Sequence, residues 1–214
     1  MGQRARTLAM LLIIGCLGRE LRAAPGRVWA APRPAQAGAA SARAKRFPFS
    51  TAIIKYRYAG WIKGREVVYL DDDSGRIAIQ TLTERDLSGQ TIRESQVRIY
   101  DGQSVFFVDR ERGLVTKSKA SGDMINAMLG EAYPPGATPA GHDSILGNVC
   151  DLYAGPAPGV RVCVWNGIQL RHVSPTSPGN QFKWSKEAVD VSVNVPIPSE
   201  KFRPPQGIPV MTIN

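Results

Sequence analysis

Short apolar runs alternate with polar residues along most of the chain, and turn-forming residues separate these runs. In the first run Ile54, Tyr56 and Tyr58 alternate with Lys55 and Arg57, which is the period of a strand with one buried face. The pattern therefore predicts a mainly β, antiparallel domain with little helix. We expect strands at 54–58, 66–70, 76–80, 96–100, 104–109, 114–119, 146–153 and 160–170.

The connections between these runs carry their own signals. Asp-Gly at 101–102 predicts a tight hairpin, and the acidic run 71–75 predicts a charged hairpin turn, because it lacks the later ligands of a calcium loop. Residues 124–129 place apolar side chains at helical spacing, and Gly130 ends the run. The sequence thus predicts one short helix, followed by a Pro-rich loop over 131–141 that covers an opening.

Two cysteines flank a predicted turn centred on Ala157. Cys150 and Cys163 lie seven and six residues from that centre, so they fall nearly opposite each other on paired strands. Opposed Cα atoms are about 4.5 to 5.5 Å apart, within reach of a disulfide. The spacing therefore predicts a disulfide, with two buried free thiols as the alternative. A zinc site is disfavoured, because the ligands lack close paired spacing.

The N-terminal residues are typical of an export signal. Residues 1–16 combine two early arginines with a short apolar run, too short for a membrane-spanning helix. Ile-Ile-Gly before Cys16 resembles a bacterial lipoprotein cleavage box, which predicts that Cys16 is lipidated and that a lipid anchor attaches the protein to a membrane. Cleavage after Ala30 or after Ala37 is the alternative, and it removes Cys16.

Charge and composition divide the chain after residue 46. Residues 1–46 hold nine Lys and Arg against Glu20 alone, whereas the other 18 basic and 17 acidic residues nearly cancel. A nucleic-acid-binding surface is therefore not expected, because phosphate affinity needs concentrated basic side chains. Residues 17–46, rich in Ala, Pro and Arg, predict a flexible tether, and 47–214 predict a single domain.

Catalytic motifs are missing from the sequence. It contains no nucleophile elbow, zinc-protease helix, phosphate-binding loop or dinucleotide fingerprint. Only His142 and His172 offer an imidazole, and both fall in loop-rich segments, which predicts exposed surface histidines. We therefore expect no enzyme activity, no cofactor and no bound metal.

Aromatic and methionine side chains offer a different kind of site. Large aromatic residues lie on or beside the predicted strands, where they either fill a core or line a pocket for an apolar ligand. The methionines of the predicted helix suit an adaptable lid. The ligand-binding hypothesis names Tyr56, Tyr58, Trp61, Phe106, Met124, Met128 and Trp165.

Two segments in the second half of the chain read GHDSILGNVCDLY at 141–153 and CVWNGIQL at 163–170. They resemble a pattern from exported bacterial proteins related to the LolA/LolB lipoprotein-carrier fold. A strand with Gly shortly before its Cys thus precedes one reading Cys, aliphatic, Trp, polar, Gly and aliphatic. The hairpin 69–75 and the closing stretch 195–205 are also similar, and the likeness covers most of 50–209.

The resemblance implies a curved antiparallel sheet that forms an incomplete barrel, with a short helix and loops over its concave face. It implies a non-catalytic envelope protein, in the periplasm or on the periplasmic face of the outer membrane, that binds a lipid or acyl chain in that concavity. The basic and loop residues that the carriers use have no located counterpart here, so lipoprotein transport is not implied. The alternative is a structural or interaction protein with a filled core that docks another envelope protein.

Overall fold

The computed structural model describes residues 45–130, 132–174 and 183–213. The predicted export signal, Cys16, the alternative cleavage sites at Ala30 and Ala37, and the tether up to residue 44 lie outside the described residues.

One large open sheet of 12 strands dominates the described residues. Every neighbouring pair is antiparallel except the last strand, which runs parallel to β6. The order across the sheet is β12-β6-β5-β4-β3-β2-β1-β11-β10-β9-β8-β7. The strands are β1 (Thr51–Gly60), β2 (Ile62–Asp71), β3 (Arg76–Leu87), β4 (Gln90–Tyr100), β5 (Ser104–Asp109), β6 (Leu114–Lys119), β7 (Thr138–Ile145), β8 (Asn148–Ala154), β9 (Arg161–Trp165), β10 (Ile168–Ser174), β11 (Trp184–Val193) and β12 (Val210–Ile213).

The mainly β prediction and the early hairpins are confirmed, but three boundaries are wrong. The run 160–170 is two strands, β9 and β10, because Asn166 and Gly167 both adopt positive φ and turn the chain. The loop expected over 131–141 already contains the start of β7. Leu146, predicted to begin a strand, belongs instead to the turn before β8.

The predicted helix is present as α1 (Met124–Leu129). The Asp123 side chain caps it by accepting a hydrogen bond of 3.2 Å from the backbone N–H of Asn126. Ile125 and Met128 are its buried residues, so α1 packs one apolar edge against the sheet. Among the described residues, no helix is long and apolar enough to cross a membrane.

Apolar residues form a cluster on each face of the sheet. Ile54, Val68 and Ile79 share one face, which we call the helix face because the buried residues of α1 belong to the same cluster. The other face, here called the opposite face, carries a second cluster around Ile99 and Phe202. Phe202 belongs to the helical turn Ser199–Phe202, so the C-terminal segment covers part of that face.

The Cys150–Cys163 disulfide is present, with Cα atoms 5.5 Å apart. In the register between β8 and β9, Cys163 lies opposite Leu152, so Cys150 is its diagonal neighbour, one same-face step along the strand. The bond links neighbouring strands near the edge formed by β7.

Candidate functional site

The helix face, where the ligand-binding hypothesis places most of its residues, is filled by the protein's own side chains. Tyr56 and Met128 are buried members of its cluster, and Met124 and Trp165 pack against it. Phe49 stacks on Trp165 with ring centroids 5.7 Å apart. These side chains therefore pack against one another on the helix face, and ligand binding there stays a prediction.

Phe47 and Phe49 are the residues that the sequence reasoning missed on this face. Phe47 stacks on Phe49 at 5.4 Å, and both side chains are almost fully buried. The backbone N–H of Arg46 donates to the Asp72 carboxylate at 3.0 Å, which holds the start of this segment to the β2–β3 turn. The sequence signal is the Phe-Pro-Phe run at the domain boundary, where two aromatic residues follow a polar tether.

Two other residues of the hypothesis lie elsewhere. Phe106 pairs with Ile99 in the β4–β5 register and belongs to the opposite-face cluster, so it cannot share a pocket with Tyr56 and Met128. Its placement follows from strand alternation, which puts Val105 on the helix face and Phe106 on the other. Trp61 lies at the β1–β2 connection, where its indole Nε1 donates to the Asp86 carbonyl at 3.1 Å.

A buried polar cluster follows the apolar cluster along the helix face. The Glu66 carboxylate accepts hydrogen bonds from Lys186 Nζ at 2.9 Å, the Tyr58 hydroxyl at 2.9 Å and the Thr81 hydroxyl at 3.1 Å. The Glu66 residue is only 4% exposed. Lys186 Nζ also lies 4.4 Å from the centre of the Tyr56 ring. The charges of this pair are fully partnered, which is the condition for keeping a carboxylate buried.

Burial and the neighbouring groups set the ionisation of this cluster. Burial is the largest single influence on Glu66 and raises its pKa, but Lys186 and the hydroxyl donors together bring the pKa below its ordinary value. Burial, followed by the negative charge of Glu66, raises the pKa of the Tyr58 hydroxyl. The Glu66 carboxylate therefore lies between the Tyr58 hydroxyl and Lys186 Nζ, and both groups donate hydrogen bonds to it.

The two histidines differ in environment. His142 is exposed, as predicted, with Nδ1 3.0 Å from the Asp151 carboxylate. The same prediction is wrong for His172, which is half-buried because its ring stacks on Trp184 at 5.2 Å. Burial, and then the charge of Lys186, lower the pKa of His172.

The recess that suits a ligand lies on the opposite face. A groove of about 730 Å³ opens over β11, β1, β2, β3 and β4, and we call it the arginine groove. Its side chains include Arg57, Arg65, Leu82, Glu84, Arg93 and Val189, and carbon predominates in its lining. A volume of this size is typical of small-molecule sites.

Local backbone features shape the arginine groove. Val189 is the extra residue of a bulge in β11, because Lys55 pairs with Asp190 and Tyr56 with Ala188. Gly64 has φ of +143°, and a Cβ there would lie 2.2 Å from the Leu82 carbonyl oxygen. Only glycine lets β2 and β3 approach this closely.

The charges of the arginine groove are unbalanced. Arg93 Nε lies 3.7 Å from Glu84, which leaves Arg57 and Arg65 without an acidic partner within 4 Å among the described residues. These two arginines face each other directly in the β1–β2 register. Glu187, opposite Arg57 on the other side, accepts from Arg171 Nε at 2.7 Å. Two like charges thus stand side by side in the groove, on the two strands between those of Leu82 and Val189.

The described part of the chain offers no metal-binding group beside the groove. Over the described ranges, no group of three or more His, Cys, Asp or Glu side chains is placed to hold a metal ion. The groove combines apolar surface with guanidinium groups, which can bind an anion beside an apolar chain.

Comparison with known proteins shows a likeness of fold. The crystal structure of an uncharacterised conserved protein from Thermus thermophilus aligns with 78% of this chain and 92% of its own, at a TM-score of 0.52 and 9% identity. Two crystal forms of PNGF-II align with 77% of this chain and with 31% and 32% of theirs, at TM-scores of 0.45 and 0.44 and identities of 13% and 12%.

No family model and no curated protein matches this chain. The Thermus protein shows that a similar fold exists in a second chain, and it says nothing of activity. The resemblance to the lipoprotein carriers therefore remains a prediction.

Proposed function

We propose that this protein is an exported, non-catalytic envelope protein that binds a lipid or other acyl-chain ligand in the arginine groove. The observation that carries the proposal is the groove itself, about 730 Å³ of carbon-rich recess between Leu82 and Val189. Leu82 and Val189 are 43% and 45% exposed, so both leave apolar surface open to a ligand in the groove. The ligand class follows the sequence hypothesis, whereas the location moves from the helix face, which is filled, to the opposite face.

Binding of a fluorescent fatty acid tests this function. The matched variants are Leu82→Gln/Val189→Thr, which remove apolar surface from the groove, and Leu146→Gln, a control on an exposed leucine in the β7–β8 turn. We expect the groove variant to bind the probe at least tenfold more weakly and the control to bind it like the wild type. Equal binding by all three proteins would place the ligand elsewhere.

The envelope location and the carrier-like barrel belong to the same proposal. The Cys150–Cys163 disulfide supports an oxidising compartment such as the periplasm. The single open sheet, with α1 against one face, supports a curved half-barrel of the lipoprotein-carrier type. Changing Cys16 to Ser and following membrane fractionation tests the lipid anchor: release into the soluble fraction supports lipidation, and an unchanged distribution contradicts it.

A second candidate function is docking of another envelope protein. The filled helix face favours it, as does edge strand β12, whose Val210, Met211 and Ile213 are each close to half exposed. A photo-crosslinker at position 211 is then expected to give one discrete adduct in intact cells, with position 146 as the control. Identical adduct patterns at the two positions would remove this candidate.

A further inference from the structure

We infer that Arg57 and Arg65 form an anion-binding site within the arginine groove, so that its ligand is a single-chain amphiphile with an anionic head group. This inference rests on the proposed function and specifies the ligand's chemistry. Three observations support it: the direct pairing of the two arginines, the apolar side chains of Leu82 and Val189 on either side of them, and the pairing of the surrounding acids.

The two guanidinium groups are placed to share one anion. Arg57 and Arg65 are direct cross-strand partners on β1 and β2, and Arg65 in turn pairs with Leu82 on β3. Side chains in such positions project from the same face about 5 Å apart at Cβ. Like charges directly opposite each other destabilise a sheet, and a bound anion between them removes that repulsion.

The nearby acids do not supply this anion. Glu84 pairs with Arg93, and Glu187 with Arg171. Arg171 also contacts Asp143 at 2.5 Å, so Glu187 belongs to a separate ion-pair network across β11, β10 and β7. A guanidinium without a partner binds carboxylate or phosphate oxygens in a two-pronged geometry.

The rest of the ligand is set by the wall next to the arginines. Leu82 and the bulged Val189 offer apolar surface within the same groove. A volume of about 730 Å³ accommodates one small molecule rather than an extended bilayer surface. The paired guanidinium groups and the apolar side chains that flank them together select an acyl chain with a terminal anion.

Decanoate and decanol test the inference as a pair, because they share one chain and differ in the head group. Titration calorimetry at low salt is expected to show decanoate binding at least tenfold more tightly than decanol to the wild-type protein. Added salt weakens only the decanoate affinity, since it screens an exposed ion pair. In Arg57→Gln/Arg65→Gln the decanoate affinity is expected to fall by about tenfold, equivalent to about 1.4 kcal/mol, whereas the decanol affinity is unchanged.

The control variant is Lys119→Gln/Arg161→Gln, which removes the same charge from exposed positions on β6 and β9. It is expected to bind decanoate like the wild type. If both double variants lost the same decanoate affinity, the loss would follow from net charge alone and the inference would be overturned. Thermal unfolding separates binding from folding. Without ligand, the arginine variant is expected to unfold at the wild-type temperature or above it. With decanoate, its unfolding temperature is expected to rise much less than that of the wild type.

The outcomes separate this inference from the proposed function. If decanoate and decanol bind equally and Leu82→Gln/Val189→Thr weakens both, the groove binds acyl chains and the anion site is refuted. If neither binds, both proposals fail. If only vesicles containing phosphatidylglycerol bind, the basic pair contacts a membrane surface and the single-chain ligand is refuted.

Discussion

Replacing Phe49 with alanine tests whether the helix face is a packed core. Phe49 is 3% exposed and stacks between Phe47 at 5.4 Å and Trp165 at 5.7 Å. Truncating a buried Phe to Ala costs about 3–5 kcal/mol in total, and the two ring stacks place Phe49 in the upper part of that range. We therefore expect Phe49→Ala to lower the free energy of unfolding by about 4–5 kcal/mol, a large share of a typical domain's stability.

Urea unfolding followed by tryptophan fluorescence measures this loss, with the disulfide kept oxidised in every sample. The m value is expected to stay constant, so that the midpoint alone moves. Phe107→Ala is the control, because that ring is 49% exposed and its loss is expected to cost within about 0.5 kcal/mol. A loss below about 1.5 kcal/mol for Phe49→Ala would refute the packed core and restore the helix face as a ligand site.

Three further predictions concern the disulfide, the buried ion pair and acid stability. Cys150→Ser/Cys163→Ser is expected to lower the free energy of unfolding by about 3 kcal/mol, because the disulfide restricts the unfolded chain. Lys186→Met alone is expected to cost about 3–5 kcal/mol, because it leaves Glu66 buried without its cation, whereas Glu66→Gln/Lys186→Met costs less. Since the folded pKa of His172 lies below its ordinary value of 6.5, stability is expected to decline as the pH falls below about 6.5, and His172→Gln removes that decline. Denaturant midpoints measure the first two, and midpoints at about pH 7.5 and about pH 5 measure the third.

Each of these predictions has an outcome that contradicts it. Equal midpoints for the oxidised wild type and the double serine variant would mean that the disulfide adds no stability. If Glu66→Gln/Lys186→Met is as unstable as Lys186→Met alone, the unpaired charge of Glu66 is not the cause of the lost stability. An unchanged pH slope in His172→Gln would assign the acid sensitivity to carboxylates such as Glu66, whose lowered pKa gives a loss of the same sign at lower pH.

Local signals in the sequence predict much of the sheet. The Asp-Gly turn at 101–102, the alternation in β1 and the cysteine spacing each depend on a few neighbouring residues, and all three predictions are confirmed. The sequence does not predict strand β7, because Pro139 and Gly141 are typical of a loop. An edge strand such as β7 nevertheless tolerates both residues. The Asn166-Gly167 turn carries a recognisable hairpin signal, but it lies within an apolar run whose length favours a single strand.

The candidate site is harder to predict, because it depends on register between distant strands. Alternation alone places Arg57 on the wet face of β1, but only the β1–β2 register brings Arg65 beside it. The bulge that turns Val189 into the groove depends on the pairing of β1 with β11, which are far apart in the chain. Filling of the helix face depends in turn on the tertiary contacts of Phe47 and Phe49.

An NMR measurement of contacts between decanoate and the methyl groups of the protein shows which face of the sheet binds the ligand. We expect intermolecular cross-peaks from the decanoate chain to Leu82 and Val189, which line the arginine groove. We expect none to Ile54 or Met128, which are buried on the helix face. Cross-peaks to Ile54 and Met128 without any to Leu82 would contradict this placement and return the ligand to the helix face.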